Sequence, residues 1–360
     1  MGIKSIDLYR ININRVTQRL EELFMTQAIH EMIFPAQQDV AEVHASTLAQ
    51  LADGSVLAAW FGGSKEGYDD VAIWLSHRVE GQWQSPRLIA KLSDEPHWNP
   101  VLHVQDGMVY LWFKVGKPIP IWRTYVMTSD DQGNTWSTAR ELVPGDVGGR
   151  GPVKNKLIVL SSGAWLAPAS IEVGATPSLE TGEAKNAAWN AFVDRSEDQG
   201  VTWQRSELVP YDHANNKGEG VIQPTLWESD PGKIHMLIRS GDGWINRSDS
   251  DDDGRSWCPA YRTTLPNNNS GIDLTRLADG TLALVYNPVG GNWGGRSPLT
   301  LALSYDNGKT WPHQLDLETI QGEFSYPAII TIPGGMAVTY THDRKTIAYW
   351  QGTVEHILKA

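Results

Sequence analysis

The octets SDDQGNTW (129–136), SEDQGVTW (196–203), SDDDGRSW (250–257) and SYDNGKTW (304–311) write one signature four times. Ser, Asp, Gly and Trp hold offsets 0, 2, 4 and 7, with Thr or Ser just before the Trp. This composition suits a tight hairpin turn. Ser and Asp side chains bond back to nearby backbone N–H groups, Gly takes the φ > 0 position, and Trp anchors the turn onto apolar surface. A worn fifth copy, SHRVEGQW at 76–83, keeps Ser76 and Trp83 but has Arg78 in place of the Asp. Such turns are fold punctuation rather than catalysts.

Between the octets the chain reads as β throughout from Glu31 onward, with apolar runs separated by Gly, Asp, Asn and Pro. Six times a polar start leads into an apolar strand, a Gly-containing turn and a second apolar strand. The six are HASTLAQLADGSVLAAWF (44–61), NPVLHVQDGMVYLWF (99–113), KNKLIVLSSGAWLAPA (154–169), QPTLWESDPGKIHMLIR (223–239), GIDLTRLADGTLALVYN (271–287) and YPAIITIPGGMAVTYT (326–341). A repeat of roughly 55 residues built from short strands is a propeller blade. The expectation is therefore an all-β, six-bladed β-propeller in a single domain over 25–360, with one strand from 25–43 closing the ring against the last blade. Residues 1–24 stand apart, with Val16, Leu20, Leu23 and Phe24 at amphipathic-helix spacing.

Composition narrows the function. With 360 residues, 41% hydrophobic and 20% charged, the chain has ample material for a core. A net charge of −12 speaks against a nucleic-acid or anionic-membrane partner. The single Cys258 fits a reducing compartment. No run is apolar for long enough to span a bilayer and no signal-peptide pattern opens the chain, so the expected location is cytoplasmic. No HExxH, CxxC or phosphate-cradling glycine motif is present, so neither a metal nor a cofactor is expected. Sixteen Trp residues are more than an average composition supplies. Trp60, Trp98, Trp112, Trp122, Trp189 and Trp293 lie near strand ends, as sugar-stacking platforms or as core.

In a propeller the first strand of each blade lines the axis, so the residues opening the six hairpins ring one mouth. They are His44, the His97-Trp98-Asn99 run, Lys154, Gln223, the Ser270-Gly271 pair and Tyr326. All are polar or small except Trp98, which marks a funnel with converging polar groups.

On these octets and hairpins the chain resembles the sialidase (neuraminidase) superfamily over 31–355. That resemblance implies an acidic sugar held by arginines, with Arg239 resembling the second and Arg296 the third of the family's three. Guanidinium forks bond a carboxylate bidentately and stay charged when desolvated. The first Arg belongs to a motif Arg-Ile-Pro, where this chain has His44-Ala45-Ser46. The family's acid/base Asp falls in GGSKEGYDDVAIW (62–74), as Asp69 or Asp70, and its nucleophilic Tyr falls on Tyr326. The carboxylate partner of that Tyr falls on Gln223, with Glu219 four residues earlier; a neutral amide does not accept a phenol proton. Lys154, Trp98 and the run Asn267-Asn268-Asn269 complete the expected substrate contacts.

Three functions are consistent with this reading. The first is hydrolysis of a glycosidic bond to an acidic sugar. The second is β-elimination next to a uronic acid, with Arg239 and Gln223 neutralising the carboxylate and His44 and Tyr326 exchanging the proton. The third is glycan binding without turnover. In each case the partner is an acidic glycan or oligosaccharide.

Overall fold

The computed structural model describes residues 27–36, 40–179 and 184–359; the helix expected within 1–24 lies outside them. Six antiparallel sheets of four or five strands follow one another around an axis, besides a two-stranded one formed by Thr176–Pro177 and Ala184–Lys185. Blade one opens with Glu42–Gln50 and Val56–Gly63, blade two with His97–Gln105 and Met108–Val115, and blade four with Val221–Asp230 and Lys233–Ser240. Blade three is built on Trp165–Val173 and Ala188–Ser196, and blade five on Asp273–Arg276 and Leu282–Tyr286. In blade six, Phe324–Ile332, Gly335–His342 and Thr346–Gly352 are completed by Ile29–Met32 from the opposite end of the chain, in the register Ile29↔Gln351 to Met32↔Ala348. This strand joins the ends of the ring and leaves no blade short of an edge.

The four octets fold alike. In the first, Ser129 Oγ donates to Asp131 Oδ1 (2.8 Å) and accepts from Gly133 N (2.8 Å), while Asp131 accepts from Thr135 N (2.8 Å) and Thr135 Oγ1 (2.7 Å). The same bonds recur at Ser196/Asp198, Ser250/Asp252 and Ser304/Asp306. The residue before each Gly is also left-handed, with φ of +57° to +63° at Gln132, Gln199, Asp253 and Asn307. The first and third turns seat on a neighbouring blade: a Cβ on Gly133 would meet Leu57 at 3.1 Å and one on Gly254 would meet Leu166 at 2.8 Å, whereas one on Gly200 would meet Trp165 of its own blade at 2.9 Å. The worn copy differs. Glu80 and Gly81 (φ +48° and +80°) make a plain two-residue hairpin, and Arg78 pairs with Glu31 of the ring-closing strand at 2.9 Å.

These bonds set a pH limit on the fold. Backbone and side-chain donors of Thr135 and Thr202 hold Asp131 and Asp198 down to about 2. A depressed folded pKa adds stability above the unfolded value of about 3.9 and loses it as pH falls through the folded one. Melting temperature measured from pH 7 downward should therefore be limited by these boxes only below about pH 4, and Asp→Asn at both positions should flatten the fall between about pH 4 and 2.

The axis is plugged rather than open. Lys154, Asn155 and Lys156 of blade three reach across it: Asn155 Nδ2 donates to Pro224 O (2.9 Å), and Lys156 Nζ pairs with the buried Asp273 (2.9 Å). Asp273 also accepts from Thr225 Oγ1 (2.8 Å) and Ile329 N (3.0 Å). Blades three to six are thereby tied together beneath the mouth. Among the described residues no helix is long and apolar enough to cross a membrane.

Candidate functional site

In four blades the innermost strand bulges as it enters the mouth. Register shifts fall between His44 and Thr47, Trp98 and Val101, Ile222 and Thr225, and Ser325 and Ala328. Each bulge places one non-glycine residue in the left-handed region: Ala45 (+53°), Asn99 (+40°), Gln223 (+54°) and Tyr326 (+50°). Such residues cost about 1–3 kcal/mol each and collect at functional sites. Here the bulges turn His44, Trp98, Asn99, Gln223 and Tyr326 into one cavity of about 290 Å³.

Three guanidinium groups line that cavity, those of Arg239, Arg296 and Arg344. Arg239 is buried; its Nε donates to Asn269 Oδ1 (2.8 Å), and its Nη1 donates to Gln223 Oε1 (2.9 Å) and Tyr326 Oη (2.7 Å). The indoles of Trp189 and Trp293 flank it at 5.2 and 5.7 Å. Arg296 Nη1 donates to Glu323 Oε1 at 2.7 Å, and its guanidinium stands 5.6 Å from the Tyr326 ring centre. Arg344 donates from Nε to Glu323 Oε1 and from Nη1 to Glu66 Oε2, each at 2.5 Å. The Nη2 groups of all three have no partner among the described residues.

His44 packs on Tyr326 with ring centres 4.1 Å apart, and its Nδ1 bonds Thr341 Oγ1 at 2.9 Å. Burial, then the charges of Arg344 and Arg296, hold its pKa well below the ordinary value. His44 is therefore neutral at neutral pH, with Nε2 unpartnered among the described residues. Gln223, at the position where the resemblance implies a carboxylate, accepts from Arg239 through its side-chain oxygen.

The structure separates several other expected site residues from the cavity. Asp70 accepts from Ser64 N (2.8 Å) and Ser64 Oγ (2.9 Å), closing its own loop. Asp69 is exposed, 3.9 Å from Lys117. The carboxylate which that loop sends into the cavity is Glu66. Lys154 lies below the floor, ahead of the short inner strand of blade three, Ile158–Val159, rather than at its opening. Its Nζ donates to Ile272 O (3.1 Å) and Pro327 O, and burial brings its pKa down to about 7.

Asn267, Asn268 and Asn269 are buried and engaged with protein. Asn267 accepts from Ser240 N (3.1 Å), Asn268 donates to Gly295 O (2.6 Å), and Asn269 holds Arg239. Glu219 bonds Trp293 Nε1 (3.1 Å) and Asn292 (3.1 Å) rather than Tyr326. Of the six Trp residues, Trp60 and Trp112 are core at 1% exposure, whereas Trp98, Trp122, Trp189 and Trp293 line the cavity.

Arg344, Glu66 and Glu172 are the charged cavity residues that the sequence did not reveal. Arg344 occupies a two-residue turn with Asp343, left-handed at +58°, which is uncommon for a long side chain. Its position in THDRKT reads as an ordinary turn. Glu172, one residue before the end of the blade-three strand, pairs with Trp189, and burial raises its carboxyl to about 7.

Solved structures share this architecture at low identity. The Hadza microbial sialidase Hz136 aligns with a TM-score of 0.74 and 17% identity, over 91% of this chain and 69% of that one. A protein of unknown function from Dyadobacter fermentans aligns at 0.71 and 14%, over 90% of this chain and 98% of its own. Trypanosoma rangeli sialidase in complex with sialic acid aligns at 0.68 and 15%, over 92% and 60%. No curated protein sequence gives a significant match. Residues 54–338 match the model of the BNR repeat-like domain, and since this spans most of a ring whose turns carry that repeat four times, the chain belongs to the BNR repeat-like domain family.

Proposed function

We propose that this propeller hydrolyses the glycosidic bond of a carboxylate-bearing sugar in the cavity at its mouth. The observation carrying this reading is the convergence of Arg239, Arg296 and Arg344 with Nη2 donors left over. Glu323 and Glu66 balance two of the three charges, so the cavity has room for one more anion. A planar carboxylate meets several such donors at once and loses little by leaving water. Trp98, Trp122 and Trp189 supply flat apolar walls for the ring. Tyr326 Oη, fixed by Arg239, presents its oxygen to the anomeric carbon. With Gln223 beside it in place of a carboxylate, the phenol is assigned to stabilising the oxocarbenium-like centre. Glu66 and Glu172 are the carboxyl groups at hand for proton transfer to the glycosidic oxygen.

A second reading, elimination next to a uronic acid, draws on one observation: the neutral, partly unpartnered His44 stacked on Tyr326. A neutral imidazole can take a proton from carbon while a carboxylate is held by arginine. Fluorogenic sialosides and uronides, together with uronic-acid oligosaccharides, separate the possibilities. Hydrolysis releases fluorophore with uptake of water and no near-ultraviolet absorbance; elimination gives an unsaturated product that absorbs there. Glycan binding with neither signal on any ligand that binds would remove both enzymatic readings.

A further inference from the structure

We propose that Glu172 is the general acid of this site and that it stands where the sugar cavity opens into a second groove that receives the leaving part of the substrate. The inference rests on the hydrolase reading above. Its first support is position. Glu172, Trp189, Trp293 and Ile119 line both the inner cavity and an outer groove of about 670 Å³. A glycosidic oxygen joining a ring in one to a ring in the other would cross that shared boundary. The outer groove continues past Glu219, Lys185 and Asn186, and the Trp293 indole is 58% exposed there. It offers a stacking face and hydrogen-bonding groups, as a second sugar requires.

The second support is the state of the carboxyl. Glu66 is bound to Arg344, whereas Glu172 forms no hydrogen bond or ion pair among the described residues. Burial raises its pKa to about 7, opposed by Arg239 and reinforced by Glu219; Lys185 is the other charged group lining the groove beside it. A carboxyl that stays protonated near neutral pH is what a leaving oxygen needs. In the step, the C–O bond breaks with its electron pair going to oxygen, and oxygen takes the Glu172 proton. Water then adds to the anomeric carbon and returns a proton to the Glu172 carboxylate.

Glu172→Gln tests this on two substrate classes sharing the acidic sugar: a disaccharide with an unactivated alkyl leaving group, and an aryl glycoside of an acidic phenol. The expected kcat/KM loss is about 10²–10⁴-fold on the disaccharide and under about tenfold on the aryl glycoside, with the alkaline limb of the wild-type pH profile abolished. An equal loss on both classes, or an alkaline limb that survives in the variant, overturns the assignment while leaving hydrolysis standing. A wild type inert on both classes overturns the hydrolase reading and this inference with it. Should Glu172→Gln fail to fold, the wild type answers alone: the alkaline limb should be steep on the disaccharide and shallow on the aryl glycoside, and matching limbs overturn the assignment.

Discussion

Arg239→Lys should lower kcat/KM on an acidic glycoside by about 10²–10³-fold, within the 2–5 kcal/mol typical of cutting one partner from a buried, hydrogen-bonded charge pair. The charge survives this change; the fork does not. Arg239 serves three protein acceptors at 2.7–2.9 Å, on Asn269, Gln223 and Tyr326, while its Nη2 stays free. A lysine ammonium has three donors at one point and cannot span those acceptors and a ligand together. Two kinetic effects should separate. Loss of carboxylate binding raises KM, and release of Tyr326 Oη lowers kcat. A variant within about threefold of wild type, with unchanged melting temperature, would show that the sugar carboxylate sits elsewhere.

Asp194→Ala should cost about 3–5 kcal/mol of stability, the range for removing one member of a buried ion pair. Asp194 is fully buried and bonds Arg150 Nε (2.9 Å) and Nη2 (2.8 Å), as well as Gly151 N (2.6 Å). Alanine leaves the Arg150 side chain, 9% exposed, with Asp146 as its remaining counter-ion and one buried N–H unpaired. The expected fall in melting temperature is roughly 4–7 °C for a chain of this size. Gly148 and Gly149, which line the cavity, sit just before Arg150, so ligand affinity should fall as well. Arg150→Met combined with Asp194→Leu should cost less than the two single changes added together. A melting temperature within about 2 °C of wild type for Asp194→Ala would mean that water reaches Arg150.

How much of the site could be read from the sequence depended on how far each residue's partners lie along the chain. Tyr326, Gln223 and Trp98 were legible because they open hairpins, and the blade repeat dictates where a hairpin opening points. Lys154 reads as a hairpin opening too, but the strand begins only at Ile158, and the Lys154 ammonium donates to carbonyls of blades five and six beneath the floor. The Asn267–Asn269 run invited a sugar-binding reading. Its amides instead satisfy backbone groups and Arg239, as buried polar atoms must when water is excluded. In the loop 62–74 the acidic residues lie within five positions of one another, and loop conformation alone turned Glu66 inward and left Asp69 in solvent.

The sequence by itself determined the ring: its six blades and its turn chemistry. Those features rest on hydrogen bonds and apolar periodicity within a few residues, which any copy of the octet or hairpin repeats. Only the tertiary structure decided the chemistry of the mouth. Arg344 enters from a turn in blade six, Glu66 from a loop of blade one and Glu172 from near the end of a strand in blade three. They meet because ring closure brings distant segments together, and nothing in the residues near each of them encodes that meeting. The raised carboxyl of Glu172 and the neutral ring of His44 follow from the same cause, since burial and neighbouring charge set those states and both are created only when the ring is closed.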